Sequence, residues 1–151
     1  MATTSLTGND VIIVDGRNLT DLADGDNGAL THPNELSTTK IGKNGNALIA
    51  YNATGEVGEL VLRIVRGSSD DRFLNQRMKA FERDPAGFTL MRGTFIKRSG
   101  DGRGFTTNDT YVLIGGTFFK KVDVTSNAEG NTDQAVCVYS MRFAAVMRGI
   151  M

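Results

Sequence analysis

Apolar residues recur at every second position over short stretches of this chain, which is the spacing of β-strands. The clearest example is the segment 59–66, where Leu60 lies on one face and Val61 on the other. Because apolar residues continue along both faces, we expect this strand to be covered on both sides. The same pattern predicts strands at 11–14, 18–23, 47–51, 88–97, 105–114, 117–124 and 135–147. The last of these is apolar on both faces, so it should be central in the sheet.

Turn residues separate these predicted strands. Asp15-Gly16 should close a first hairpin, and the glycine-rich stretch 99–104 should close a second. Residues 24–46 are polar and contain several turn signals, including His32-Pro33. We therefore expect a long loop there that projects from the domain, since a loop of this length usually has a function or is disordered.

The hydrophobic period changes once, in the segment 68–83. Ser68 supplies a hydroxyl cap, and Asp70 and Asp71 favour the positive end of a helix dipole, while Asp84-Pro85 ends the helical geometry. The predicted helix has one apolar stripe, formed by Phe73, Leu74, Met78 and Phe81. Its opposite, basic face carries Arg72, Lys79 and Arg83.

These segments predict one domain over residues 1–151, because a chain of 151 residues can bury a single sizeable core. Eighteen glycines and two prolines suit many tight turns between strands. The expected fold is mainly β, a β-sandwich or small barrel with one flanking α-helix at about 68–83 and a long polar loop.

Charge and residue usage narrow the possible functions. Lys+Arg and Asp+Glu both total 17, so no basic excess favours nucleic acid as a tight ligand. The single cysteine, Cys137, lies in an apolar run and should be a buried thiol in a reducing compartment. The first ten residues lack the pattern of a secretory signal, and no apolar run is long enough to cross a membrane.

No constellation of residues indicates an enzyme, a cofactor or a metal. The only histidine, His32, should be a surface loop residue, and one histidine with one cysteine does not make a zinc site. Asp24, Asp26 and Glu35 have the spacing of calcium ligands, but Ala29 occupies the position where an EF-hand loop needs glycine. We therefore expect a protein without catalytic machinery.

Two stretches resemble a known family. The opening segment 11–25, which reads VIIVDGRNLTDLADG, resembles the start of the tube proteins of contractile phage tails. The segment 57–75, a strand that enters a helix through RGSSDDRFLN, is similar to their middle, and the order of elements is similar over nearly the whole chain. That family is itself similar in fold to the ring-forming tube protein of type VI secretion.

The resemblance implies a structural protein of the virion tail that assembles in the host cytoplasm. Six copies would form a ring, and stacked rings would form the inner tube through which genomic DNA passes. The implied partners are further copies of the chain, the tail sheath protein, the tape-measure protein and the baseplate or terminator proteins. We expect no membrane partner.

Two sets of residues are candidates for assembly contacts. The first lies in the predicted polar loop, which should contact the next ring: Leu36, Thr39, Lys40, Lys43 and Asn44. The second is the basic helix face, Arg72, Lys79 and Arg83, which would meet the sheath if the helix lies outside the tube.

Two alternatives remain open at this point. Another tail or baseplate component would share the β-rich composition but would cap or branch an assembly. A small monomeric binding module would instead use the loop to recognise a ligand.

Overall fold

The computed structural model describes residues 2–151, which fold mainly as antiparallel β-structure with one helix, as predicted. The strands are β1 (Ser5–Leu6), β2 (Val11–Val14), β3 (Arg17–Asn18), β4 (Gly28–Thr31), β5 (Ser37–Ile41), β6 (Ala47–Tyr51), β7 (Gly58–Val65), β8 (Met91–Gly100), β9 (Thr106–Lys120) and β10 (Val136–Ile150). The helix α1 spans Ser69–Arg83. Three short 3-10 helices span Lys43–Gly45, Ala53–Glu56 and Thr132–Ala135.

Eight strands form one curled sheet, and two form a separate hairpin. The order in the sheet is β3-β2-β8-β9-β10-β7-β4, and β1 pairs with the far end of β8. The separate hairpin consists of β5 and β6. A side-chain carbon added at Gly28 in β4 would lie 2.5 Å from Cδ1 of Ile12 in β2. The two ends of the sheet therefore face each other closely, which gives the small-barrel character expected from the sequence.

The core lies inside this curl and beneath α1. On β7, Leu60, Leu62 and Ile64 are fully buried, as their alternation predicted. Leu74 and Met78 of the helix pack onto the same cluster. The other buried apolar residues of the cluster are Ile12, Val14, Leu19, Met91, Leu113, Phe118, Cys137, Tyr139, Met141 and Phe143.

The helix begins and ends where the sequence predicted. The backbone N–H of Asp71 donates to Oγ of the cap residue Ser68 at 3.3 Å. The predicted basic residues of the opposite face are exposed. The helical pattern did not single out Arg77. Its side chain reaches back over the protein. Its Nε lies 2.8 Å from Oδ2 of Asp15, and its guanidinium lies 4.7 Å from the ring centroid of Phe88.

The carboxylate of Asp70 fastens the first hairpin to the start of the helix. It is completely buried, and it accepts hydrogen bonds from the backbone N–H groups of Thr20 and Asp21, both at 2.7 Å, and from Nε of Arg17 at 2.8 Å. Burial acts to raise the pKa of Asp70, but the N–H of Asp21, the Arg17 guanidinium and the N–H of Thr20 outweigh it. The pKa therefore lies below its ordinary value.

Several sequence predictions were wrong, and the return of the first hairpin is one. The strand predicted at 18–23 is limited to Arg17–Asn18, because the chain leaves β2 after Leu19 to meet other partners. The N–H of Thr20 and that of Asp21 bond to Asp70, and Leu22 makes an isolated bridge to Ile64. Hydrogen bonds to the distant Asp70 carboxylate thus replace the expected pairing with β2.

The strand predicted at 117–124 is also wrong, because β9 runs without a break from Thr106 to Lys120. The glycines that suggested a turn lie within it: Gly115 has a positive φ of 72°, and a side-chain carbon at Gly116 would lie 2.3 Å from the ring of Phe143. These glycines allow an irregularity and a close approach inside the strand rather than a reversal.

The sequence predicted that both faces of β7 are covered. In the single chain this was wrong for the face that carries Val61 and Val65. Val65 is 44% exposed, and Val61 is only partly buried. The prediction of one long polar loop over 24–46 was wrong as well. That segment contains β4, which joins the main sheet, and β5, which belongs to the separate hairpin.

Asp70→Asn should lower the free energy of unfolding near neutral pH by about 1.5–3 kcal/mol, because charge-assisted bonds from Arg17 and two backbone amides are weakened. The folded-state pKa of Asp70 is depressed, so its contribution is fully present above the unfolded pKa and is lost as pH falls through the folded pKa. Denaturant unfolding of both proteins from pH 7 down to acid should therefore show the difference shrinking. A difference that is constant with pH would contradict this role.

Candidate assembly surfaces

The β5–β6 hairpin lies outside the main sheet. Its ten strand residues pair from Ser37 opposite Tyr51 to Ile41 opposite Ala47. All of them are exposed except Thr38, which is partly buried. A two-stranded hairpin without a packing partner is at best marginally stable in water. The hairpin therefore needs either internal anchors or another surface.

Internal anchors are found at both ends of the hairpin. At the base, the Asn52 backbone N–H donates to the Leu36 carbonyl at 2.8 Å, and its side-chain Nδ2 donates to Oγ1 of Thr38 at 2.8 Å. At the tip, the Gly42 backbone N–H donates to the Asn46 carbonyl at 2.6 Å. These contacts hold the hairpin in one shape before it meets any partner.

Both faces of the hairpin expose apolar side chains. On one face lie Ile41, which is 68% exposed, and Ile49, which is 73% exposed, together with the ring of Tyr51. Leu48 is exposed on the other face, and Leu36 is exposed just before β5. Isolated exposed apolar residues are common on proteins, but several together on one small element mark an interaction surface.

The structure places the five predicted loop residues on or beside this hairpin. Leu36 precedes β5, Thr39 and Lys40 lie within it, and Lys43 and Asn44 form the tip, and all five are exposed. The prediction missed Ile41, Leu48, Ile49 and Tyr51. The pattern from 47 to 51 did indicate a strand, but nothing in it indicated that both faces of this strand are exposed.

The basic helix face is a second exposed surface. Arg72, Lys79 and Arg83 are all exposed, and none forms an ion pair with another residue in 2–151. The neighbouring Glu82 faces Lys121 across 3.5 Å. The three cations are thus free to meet acidic groups on another molecule.

The two charged side chains that line one open cleft, Lys97 and Asp109, already have partners of opposite charge. This cleft, about 260 Å³, is lined by Leu30, His32, Phe95, Lys97, Asp109 and Tyr111. The Asp109 carboxylate accepts from Arg148 at 2.8 and 3.0 Å and from the Tyr111 hydroxyl at 3.1 Å. The bonds from Arg148 lower the pKa of Asp109 most. Burial raises it and the Tyr111 bond lowers it, so the pKa lies below its ordinary value.

Within residues 2–151, no three His, Cys, Asp or Glu side chains are grouped to hold a metal ion. Asp24, one of the residues with calcium-like spacing, instead accepts from Arg63 at 3.2 Å. In the same range, no helix has the length and apolar character that a membrane span requires.

No protein-family model matches the sequence. No curated protein matches it either.

Cys137 lies on β10 with its side chain in the core, as the sequence predicted. Burial is the main reason that the pKa of this thiol is raised, and the nearby Asp71 carboxylate adds to the effect. We expect native protein to react with a thiol reagent roughly tenfold or more slowly than unfolded protein. Rapid labelling without denaturant would contradict this placement.

Proposed function

We propose that this chain is the inner tube protein of a contractile phage tail, in which copies form rings, with six per ring as the resemblance implies, and the rings stack into a conduit for DNA. The observation that supports the proposal is the β5–β6 hairpin. It is anchored at base and tip, and it exposes Ile41, Leu48 and Ile49 with no cover from the same chain.

A second copy of the chain is the occupant that best fits this hairpin. Burial of one isoleucine contributes about 1.5–3 kcal/mol, and a repeated head-to-tail contact adds this contribution once for every copy. A contact between two different surfaces of the same chain propagates instead of closing a pair, so it builds rings and tubes. Balanced charge, 17 basic against 17 acidic residues, limits repulsion between stacked copies.

The helix face suggests where the outer partner lies. Arg72, Lys79 and Arg83 are unpaired within residues 2–151 and lie on the face of α1 that points away from Leu74 and the core. In a tube whose sheet faces the channel, this face is outside and would meet acidic groups of a sheath. The other proposed partners are the tape-measure protein and the baseplate or terminator proteins.

The double variant Ile41→Ser/Ile49→Ser tests the stacking role. Both side chains are exposed in the single chain, so its fold should be retained while tube formation requires at least roughly tenfold more protein. Val124→Ser is the matched control, since Val124 is 75% exposed but lies outside the hairpin. Electron microscopy and sedimentation of the three proteins provide the measurement.

Each alternative function gives a different result in the same experiment. Wild-type protein that stays monomeric at high micromolar concentration would contradict the tube proposal and favour a binding module. Wild-type rings that never stack would favour a capping tail or baseplate component. Tubes of normal length from the double variant would show that the hairpin is not the stacking element.

Reversal of the helix charges, Arg72→Glu, Lys79→Glu and Arg83→Glu, should impair sheath assembly around the tube more than assembly of the tube itself. Exposed ion pairs contribute about 1 kcal/mol or less each, but every copy along the tail repeats them. Tube and sheath should be assembled separately and together at physiological salt. Normal sheath polymerisation around the variant tube would leave these residues as an ordinary solvated face.

A further inference from the structure

The 3-10 helix Ala53–Glu56 connects the β5–β6 hairpin to the body of the protein. It follows β6 after Asn52, and it leads into β7 through Val57. It also lies against β10 of the main sheet. Because this helix stands between the hairpin and the sheet, contacts that hold it on both sides also fix the angle at which the hairpin projects.

The end of the helix nearest to β7 is held by the body of the protein. β7 begins at Gly58, which is buried where β10 and β4 come close together. A side-chain carbon added at Gly58 would overlap the side chain of Val146 and would lie 3.3 Å from Cδ1 of Leu30. Such close packing leaves the start of β7 little room to shift. This end of the helix is therefore a fixed point.

Two hydrogen bonds tie the helix to the two legs of the hairpin. The Tyr51 hydroxyl donates to Oε1 of Glu56 at 2.6 Å, and Nδ2 of Asn34 donates to the Thr54 carbonyl at 3.1 Å. The bond to Glu56 is the main reason that the pKa of the Tyr51 hydroxyl is raised. Asn34 precedes β5 and Tyr51 ends β6, so both legs are held at the base of the hairpin.

Gly55 is the residue of the helix that comes closest to the incoming leg of the hairpin. A side-chain carbon added at Gly55 would lie 2.6 Å from Cα of Leu36, 2.8 Å from the carbonyl oxygen of Glu35 and 3.0 Å from the backbone nitrogen of Leu36. All three are backbone atoms, so rotation of a side chain could not make room. Gly55 does not have a positive φ, so the neighbouring backbone is what requires glycine here.

We infer that Gly55 is a positioning residue, which sets the angle of the β5–β6 hairpin before any second copy binds. The strand residues of the hairpin are exposed except for the partly buried Thr38, so packing of its faces does not fix this angle. A preset angle lowers the ordering cost of association. That use of the angle rests on the proposed function, whereas the angle itself is a property of the single chain.

Gly55→Ala tests the positioning role. The added carbon should push the Leu36 backbone away by about 1 Å, to an ordinary carbon–carbon separation. Since paired strands lie about 4.8 Å apart, this push tilts the hairpin by roughly 10° and moves Lys40 by roughly 2–3 Å. Spin labels at Lys40→Cys and at Gln76→Cys on α1 measure the distance in dilute single copies. Both labelled positions are exposed, and buried Cys137 should remain unlabelled.

The labelled protein with Gly55 should give one narrow distance distribution, and Gly55→Ala should displace its maximum by roughly 2–3 Å. Gly42→Ala is the matched control, because Gly42 also lies at the hairpin, has an ordinary φ of −84° and would place the added carbon 3.6 Å from its nearest neighbour. It should leave the distance unchanged.

The double variant Asn34→Ala/Tyr51→Phe tests the same inference without adding a clash, should Gly55→Ala fail to fold. It removes both side-chain bonds between the helix and the legs of the hairpin and keeps the ring at position 51. We expect the distance distribution to widen without displacement of its maximum. An unchanged width would show that these bonds do not hold the angle.

The outcomes separate this inference from the proposed function. The same distribution with and without Gly55→Ala would overturn Gly55 as the positioning residue, and a broad distribution with Gly55 in place would overturn the preset angle. In unlabelled protein, Gly55→Ala should raise the concentration needed for tubes roughly tenfold, because van der Waals contacts at Ile41 and Ile49 are lost over 2–3 Å. Normal tubes from this displaced hairpin would overturn the role of the angle in assembly. Wild-type protein that never forms tubes, but whose hairpin angle depends on Gly55, would support the positioning role and contradict the tube.

Discussion

The pairing of β9 with β10 is the contact on which the rest of the molecule depends. Each strand has 15 residues, and they remain side by side from Lys120 opposite Ser140 to Asp109 opposite Ile150. β8 and β2 add to one side of this pair, and β7 and β4 add to the other. Gly116 of β9 leaves room for the Phe143 ring of β10, so the two strands stay paired through this irregular stretch.

Three separate features of the surface point to contact with other molecules. The β5–β6 hairpin exposes apolar residues on both faces, β10 is paired on one side only beyond Phe143, and Val65 and Val138 are exposed on the sheet. A protein that functions alone usually covers such features or protects them with charge. Their joint presence is easier to understand if a complete structural unit contains several copies of the chain.

The parts of the fold that were predictable are those where a local rule decides the structure. Ser68 and Asp84-Pro85 set the ends of the helix, and the alternation around Leu62 set β7. The errors occurred where a distant group determines the local structure. Asp70 accepts hydrogen bonds from the amides of Thr20 and Asp21, and the Phe143 ring occupies the space beside Gly116. The five predicted loop residues lie on or beside the hairpin, but the exposure of its isoleucines depends on a tertiary arrangement that periodicity does not report.

The order of strands also has a consequence for synthesis of the chain. The centre of the sheet is built from its second half, since β8, β9 and β10 lie between β2 and β7. Val14 of β2 pairs with Gly93, and Val65 of β7 pairs with Val136. These two strands of the first half therefore leave the ribosome before those partners have been synthesised. Such long-range pairing slows folding and leaves strand edges exposed meanwhile. Nascent chains translated from the same messenger RNA would therefore depend on chaperones to keep those edges from pairing with one another.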